Sequence, residues 1–202
     1  MPPMIRSSLV LMAVSALTGC VNLAERCGDA TPSGACLSVV SVTPTTNGEL
    51  TANVDVVQGK CGKASVPEDQ TLEPFRDHDV AFTLRNEGPI SVRDPASYGP
   101  AVVVEGFEVT FTLNSICDGC PQLDPLRGLG PTVTVLGGQE AKITLPLMPI
   151  RSKDEFLAKQ GNANQFPSYS ASYELRARDP EGELTIEGAT TFSVGNFDYC
   201  EN

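Results

Sequence analysis

A chain of 202 residues with 25 acidic side chains against 14 basic ones carries a net charge of −11. That balance repels phosphate backbones and anionic headgroups, which excludes nucleic acid as a partner and an electrostatic grip on a membrane. The length suits one ordinary domain with a core of its own, and past the N-terminal segment no run is apolar enough to span a bilayer.

Three blocks fill the first 20 residues. Arg6 is the sole charged side chain before Glu25, and the apolar run Leu9–Leu17 follows it. This run is far short of the ~20 residues that a spanning helix needs, so residues 1–19 read as a signal peptide. Leu17-Thr18-Gly19-Cys20 resembles the lipobox of bacterial lipoproteins: an aliphatic residue, two small ones, then cysteine. The resemblance implies that the Cys20 sulfur receives a diacylglycerol, that cleavage falls before Cys20, and that the new amine is acylated. Several acyl chains, at ~0.8 kcal/mol per buried CH₂, anchor stably where one is marginal. Val21 stands where an aspartate would imply inner-membrane retention, so the resemblance implies the outer membrane. This covalent lipid is the only group expected on the protein; no cofactor is called for.

Residues 20–36 are punctuated by Gly, Ala and Pro and read as a short tether, leaving residues 37–202 as the folded body. Period-two alternation then dominates. Strands are expected at Leu37–Val42, at Leu50-Ala52-Val54-Val56, at Val80-Phe82-Leu84 and at Phe107-Val109-Phe111-Leu113. Further ones follow at Thr132–Leu136, Ala141–Leu147, Tyr169–Arg178 and Leu184–Val194, giving about eight in all. Asn47-Gly48, Asn86–Pro89, Gly137-Gly138 and Asp179–Gly182 supply turn chemistry, with Gly137-Gly138 and Asp179–Gly182 reading as hairpins. One helix is expected, from an N-cap at Ser152 with Glu155 at capping-box spacing to a stop at Gly161.

Many short strands with one crossover helix favour a mainly β, antiparallel sandwich. Val80–Gly88 and Tyr173–Asp179, the latter running into Gly182, resemble strands of bacterial immunoglobulin-like or fibronectin-like domains. The chain has no Trp, unlike antibody-type domains that pack one against their disulfide.

Besides Cys20 there are Cys27, Cys36, Cys61, Cys117, Cys120 and Cys200, an even set in an exported chain, so disulfides are expected. Sequence leaves the connectivity open; proximity favours Cys27–Cys36, Cys117–Cys120 and Cys61–Cys200. A redox role for Cys117-Asp118-Gly119-Cys120 would need a helix N-terminus to activate a thiol, and Pro121 argues against one. Zinc on Cys61, Cys117, Cys120 and His78 competes with disulfide formation. His78, the single histidine, sits between Asp77 and Asp79 as a possible base or ligand, but reads best as part of a solvated loop. Asp179–Glu183 and Glu68-Asp69 offer oxygens for calcium without EF-hand spacing, so turn residues on an acidic surface explain them. For sugar stacking only Tyr98 and Tyr169 stand out.

The long loops Gln58–Asp77 and Asn114–Pro131 are the expected recognition elements, the second presenting Leu123, Leu126 and Leu129 as an apolar ridge. No nucleophile elbow, phosphate loop or metal-ligand set accompanies them. The reading is a non-enzymatic, lipid-anchored envelope protein that binds another envelope protein as an accessory subunit. A carbohydrate or small-ligand module and a thiol–disulfide oxidoreductase using Cys117 and Cys120 are the alternatives.

Overall fold

The computed structural model describes residues 33–62, 70–88, 100–159 and 162–200. The signal peptide, Cys20, Cys27, the Glu68-Asp69 pair and Tyr98 lie outside them. Eleven strands occupy the described residues: β1 Leu37–Thr46, β2 Glu49–Leu50, β3 Asn53–Asp55, β4 Lys60–Cys61, β5 Thr71–Leu72, β6 His78–Asn86, β7 Val102–Leu113, β8 Leu126–Val135, β9 Glu140–Met148, β10 Ser168–Asp179 and β11 Gly182–Gly195. A helix, Ile150–Ala158, joins β9 to β10. No helix among the described residues is long and apolar enough to cross a membrane.

The fold is mainly β. One sheet runs β2-β1-β6-β9, a second runs β3-β11-β10-β7-β8, and β4 pairs with β5. Every pairing is antiparallel except that of β3 with β11. Alternation selects the inner faces. Val80, Phe82 and Leu84 of the first sheet are fully buried, as are Val109 and Leu175 of the second, and all belong to one hydrophobic cluster. Phe82 meets Tyr173 edge-on across the sheets at 5.1 Å between ring centroids. Burying each ring contributes about 2–3 kcal/mol, and their pairing about 1 kcal/mol more. Gly188, cross-strand from Tyr173, leaves the room: a Cβ there would stand 2.7 Å from the Phe82 ring. The Tyr173 hydroxyl also donates to Pro146 O of β9 at 3.0 Å.

Three expectations change. The Leu50–Val56 segment is two strands in different sheets. β2 pairs with β1 through an Asn47-Gly48 turn whose residues have φ of 49° and 82°, while β3 pairs with β11. Leu50 is consequently exposed and Val54 buried. Gly137-Gly138 is no hairpin: β8 and β9 belong to opposite sheets, and the turn carries the chain between them. The helix begins two residues before Ser152, and no side chain of its own caps it. Its first N–H, from Ile150, instead donates to Asp77 Oδ1 at 2.7 Å, and Glu155 pairs with Arg151. The Asp179–Gly182 hairpin forms as expected, with Asp179 Oδ1 accepting from Glu181 N and Gly182 N.

Asn86 pins the sheet-to-sheet turn. It is fully buried. Its Nδ2 donates to Pro100 O at 2.8 Å and to Val135 O at 3.0 Å, and its Oδ1 accepts from Gly88 N. Its own N–H and C=O bond to Gln139 O and Gly138 N. Replacing Asn86 by Ala strands three buried backbone groups, and we expect a loss of about 3 kcal/mol in urea denaturation. A loss under about 0.5 kcal/mol would mean that water or a neighbour satisfies them.

Candidate functional site

The chain enters β1 beside Asn86, where Leu37 pairs with Asn86. The Asp179–Gly182 turn lies at that same end, its carboxylate accepting from the Ser33 hydroxyl. Thr46, His78, Met148, Ser168 and Gly195 lie at the other end of their strands, together with the helix and both disulfides within the described residues. The end remote from the tether is therefore where unusual chemistry collects.

Cys61 and Cys200 are bonded, with Cα atoms 5.3 Å apart, and so are Cys117 and Cys120, at 5.5 Å. Cys36 is also disulfide-bonded, while Cys27, its expected partner, lies outside the described residues. The zinc set does not assemble, because Cys61, Cys117 and Cys120 are spent on these bridges. No helix starts at Cys120; the next element is β8.

The apolar ridge does not exist as expected. Leu123 is buried in the core, Leu126 packs partly against it, and Leu129 alone is exposed. The cause is that β8 starts at Leu126, so the loop is shorter than Asn114–Pro131 and its first leucine joins the core cluster. Tyr169 is buried too, its hydroxyl donating to Pro121 O at 2.9 Å, and offers no stacking platform. The acidic turn at Asp179 spends its oxygens on backbone N–H groups and Ser33.

His78 is the larger surprise. It is not a solvated loop residue but the first of β6, only 3 % exposed. It shares parity with Val80, Phe82 and Leu84, a signal that was legible in the sequence. Around it gather Asp55 from β3, Glu73 from the segment after β5, Lys153 from the helix and Tyr199 near the C-terminus. Asp55, Glu73 and Lys153 are all buried. Asp55, His78, Lys153 and Tyr199 line a cavity of about 170 Å³ whose exposed rim includes Asn47, Glu49 and Arg76.

The polar atoms here are unequally served. Both Glu73 oxygens accept backbone N–H groups, from Gly59 at 3.0 Å and from Tyr199. Asp55 Oδ1 accepts from Val57 N and Phe197 N, but Oδ2 has no partner. Lys153 Nζ donates to Arg76 O at 2.6 Å and lies 4.3 Å from the Phe75 ring centroid. Neither ring nitrogen of His78 makes a hydrogen bond, although the backbone at Arg76 and Asn53 lies close enough to favour its charged form slightly.

Burial governs the protonation states. It lowers His78 to about 4, with the Lys153 ammonium adding to the effect. It lowers Lys153 to about 8, against the pull of Asp55, Asp77 and Glu73. It raises the Asp55 carboxyl above the usual range. Glu73, Asp198 and Cys200 converge, but the Cys200 sulfur is bridged to Cys61 and each Glu73 oxygen already accepts a backbone N–H.

Two outcomes follow. An unfolded His78 binds a proton near its ordinary 6.5 while the folded one resists to about 4. Stability therefore falls as pH drops through that window, by up to about 3 kcal/mol. Asp55 acts oppositely, since its raised pKa favours the folded state as pH falls, so the comparison with His78→Leu isolates the histidine. Denaturation curves from pH 7 to 4 should lose this part of their slope in His78→Leu; an unchanged slope would mean another group is responsible. Separately, Cys61→Ala with Cys200→Ala opens a 139-residue separation and should cost about 4 kcal/mol, read as a lower melting temperature.

No family model matches the chain, and no curated protein does. Two solved structures are similar to it in outline. One is a protein from Archaeoglobus fulgidus, with a TM-score of 0.39 and 10 % identity, covering 78 % of this chain and 98 % of that one. The other is the putative ApaA protein from Bordetella pertussis, with a TM-score of 0.35 and 17 % identity, covering 83 % and 97 %. At such scores neither likeness carries an argument.

Proposed function

We propose that this protein is a lipid-anchored, non-enzymatic component of the bacterial cell envelope. It is held to the outer membrane through Cys20, and its immunoglobulin-like β-sandwich serves an envelope assembly as a binding or structural subunit. The observation that carries this is Leu17-Thr18-Gly19-Cys20 behind a short apolar run and a lone Arg6. Lipidation ties the N-terminus to the bilayer, and the short tether of residues 20–36 keeps the body close to it.

The geometry adds support. β1 and β10, of 10 and 12 residues, carry the chain about 30–40 Å along the body at ~3.3 Å per residue. A body tethered at the Leu37 end presents the Cys61–Cys200 and Cys117–Cys120 bridges, its helix and the His78 cavity away from the membrane, toward a partner. Two sheets of four and five strands over one core are what a sandwich of this class requires, and disulfides suit an exported domain. The surface for a partner is then the far end, with exposed Leu50, Leu72, Ile116 and Phe166, rather than the Leu123–Leu129 segment.

Expressed in a Gram-negative host, the full-length chain should incorporate labelled palmitate and partition into a Triton X-114 detergent phase. Cys20→Ala should do neither. Wild-type protein in the aqueous phase, with an N-terminus other than Cys20, would overturn the anchor. Crosslinking on intact cells should join an envelope protein to the far-end loops, and a reproducible absence of any partner would sink the accessory role.

A further inference from the structure

We propose that the free edge of β11 at Glu183–Glu187 takes up an extended segment of a partner protein as an added strand, with a basic side chain opposite Glu187 and apolar ones facing the groove beside Ile186. This goes beyond the envelope reading, lies on the flank of the body rather than at its far end, and does not depend on the lipid anchor.

In a strand, each residue sends its N–H and C=O to one side and its neighbours send theirs to the other. Val194 N donates to Pro167 O, next to β10, whereas Ser193 N donates to Ala52 O, next to β3. The β10–β11 register runs without a break from Gly182 to Ser193. Glu183, Thr185 and Glu187 therefore share the direction of Ser193, away from β10. β3 covers only Ser193–Gly195, and among the described residues no hydrogen bond takes the N–H or C=O of these three. Such a row is a template for another strand. β1 is also uncovered before Thr45, where β2 begins to pair, and it bulges at Val40. The two edges approach at Gly188, where an added Cβ would stand 3.1 Å from Val42 Cγ2. Toward Leu37 and Thr185 a groove of about 790 Å³ opens between them. Leu37, Val39, Val40 and Ile186 line it, and Val40 is 53 % exposed.

Charge selects the occupant. Glu187, Glu174 and Glu108 stand directly opposite one another on β11, β10 and β7. Like charges so placed repel. Arg127 of β8 ends this row on one side, opposite Glu108 and 2.6 Å from its carboxylate. Among the described residues no cation pairs with Glu174 or Glu187. The one basic residue in the groove wall, Arg85, is shared between Glu87 and Glu140. A lysine or arginine on an added strand, opposite Glu187, completes the row at its open end. A second copy of this chain fails the same test, since antiparallel pairing centred on Thr185 would set Glu183 of each copy against Glu187 of the other. Phase then fixes the pattern. Residues opposite Glu183, Thr185 and Glu187 fall on their exposed face, and those between fall with buried Leu184 and Ile186. The occupant therefore reads basic, apolar, polar, apolar, basic, a pattern that is the same in both directions.

The probe is the capped peptide Ser-Lys-Val-Thr-Val-Lys-Ser, titrated calorimetrically into the full-length protein in detergent micelles. It should saturate one site with a Kd below about 1 mM. Two controls, Ser-Val-Lys-Thr-Lys-Val-Ser and Ser-Glu-Val-Thr-Val-Glu-Ser, should each bind at least about tenfold more weakly. Hydrogen exchange read by NMR should show fast amides at Thr185 and Glu187 in the free protein and slow ones in the complex, with Leu184 and Ile186 protected in both. Thr185→Pro removes one edge N–H at a position where an edge strand tolerates proline, and should weaken binding about tenfold. Glu183→Lys with Glu187→Lys should reverse the preference toward the glutamate peptide, a result that an unfolded protein could not give. Equal binding of the phase-shifted control, no saturation at about 5 mM, or Thr185 and Glu187 amides already slow in the free protein overturns the proposal. A dimer that Thr185→Pro converts to monomer overturns it in favour of a second copy.

Discussion

One buried amide, Asn86, holds the two sheets together at the end where the chain enters the body. All of its polar groups are used, and they clamp β6 to the strand end at Val135 and to the turn that leads into β9. Buried backbone groups must be paired, so a side chain that pairs several at once decides where strands stop and where the chain crosses over. With that crossing set, the alternation of β6 points Phe82 at Tyr173, and the core closes around the pair.

The far end is built on another principle. No single residue there matches the satisfaction of Asn86. The Cys61–Cys200 bridge, the Glu73 carboxylate and the Asp77 cap each tie one segment to another, and together they bury charges that do not pair. Stability achieved at one end supports unsatisfied polar groups at the other, which is where function is expected to depart from the rules of folding. The depressed His78 and Lys153 and the raised Asp55 share one leading cause, desolvation by burial.

Much of the framework was legible from residues alone. The alternation at Val80–Leu84, Phe107–Leu113 and Tyr169–Ala177 yields β6, β7 and β10 with their inner faces in the right phase, because side chains on a strand have no other period. The Asp179–Gly182 hairpin was legible because turn residues and register are local. The pairings Cys61–Cys200 and Cys117–Cys120 were reached by proximity. What escaped had distant partners. Gly137-Gly138 has hairpin chemistry, yet the strands beside it go to different sheets. Ser152 has capping-box spacing, yet a carboxylate from Asp77 starts the helix earlier. Lys153 looks like a surface helix residue until Phe75 and Arg76 close over it.

By itself the sequence determined the lipobox resemblance at Cys20, the net charge, the strand periodicity and the turn positions, since each depends on neighbours within a few residues. Only the tertiary structure decided which sheet each strand joined, that Leu123 filled the core, and that Asp55, His78, Lys153 and Tyr199 met at one cavity with Glu73 bound to the backbone of Tyr199 beside it. The reason is physical. Those five residues stand on separate segments, and only the packing of two sheets and a crossover helix brings them together and buries Asp55, Glu73, His78 and Lys153.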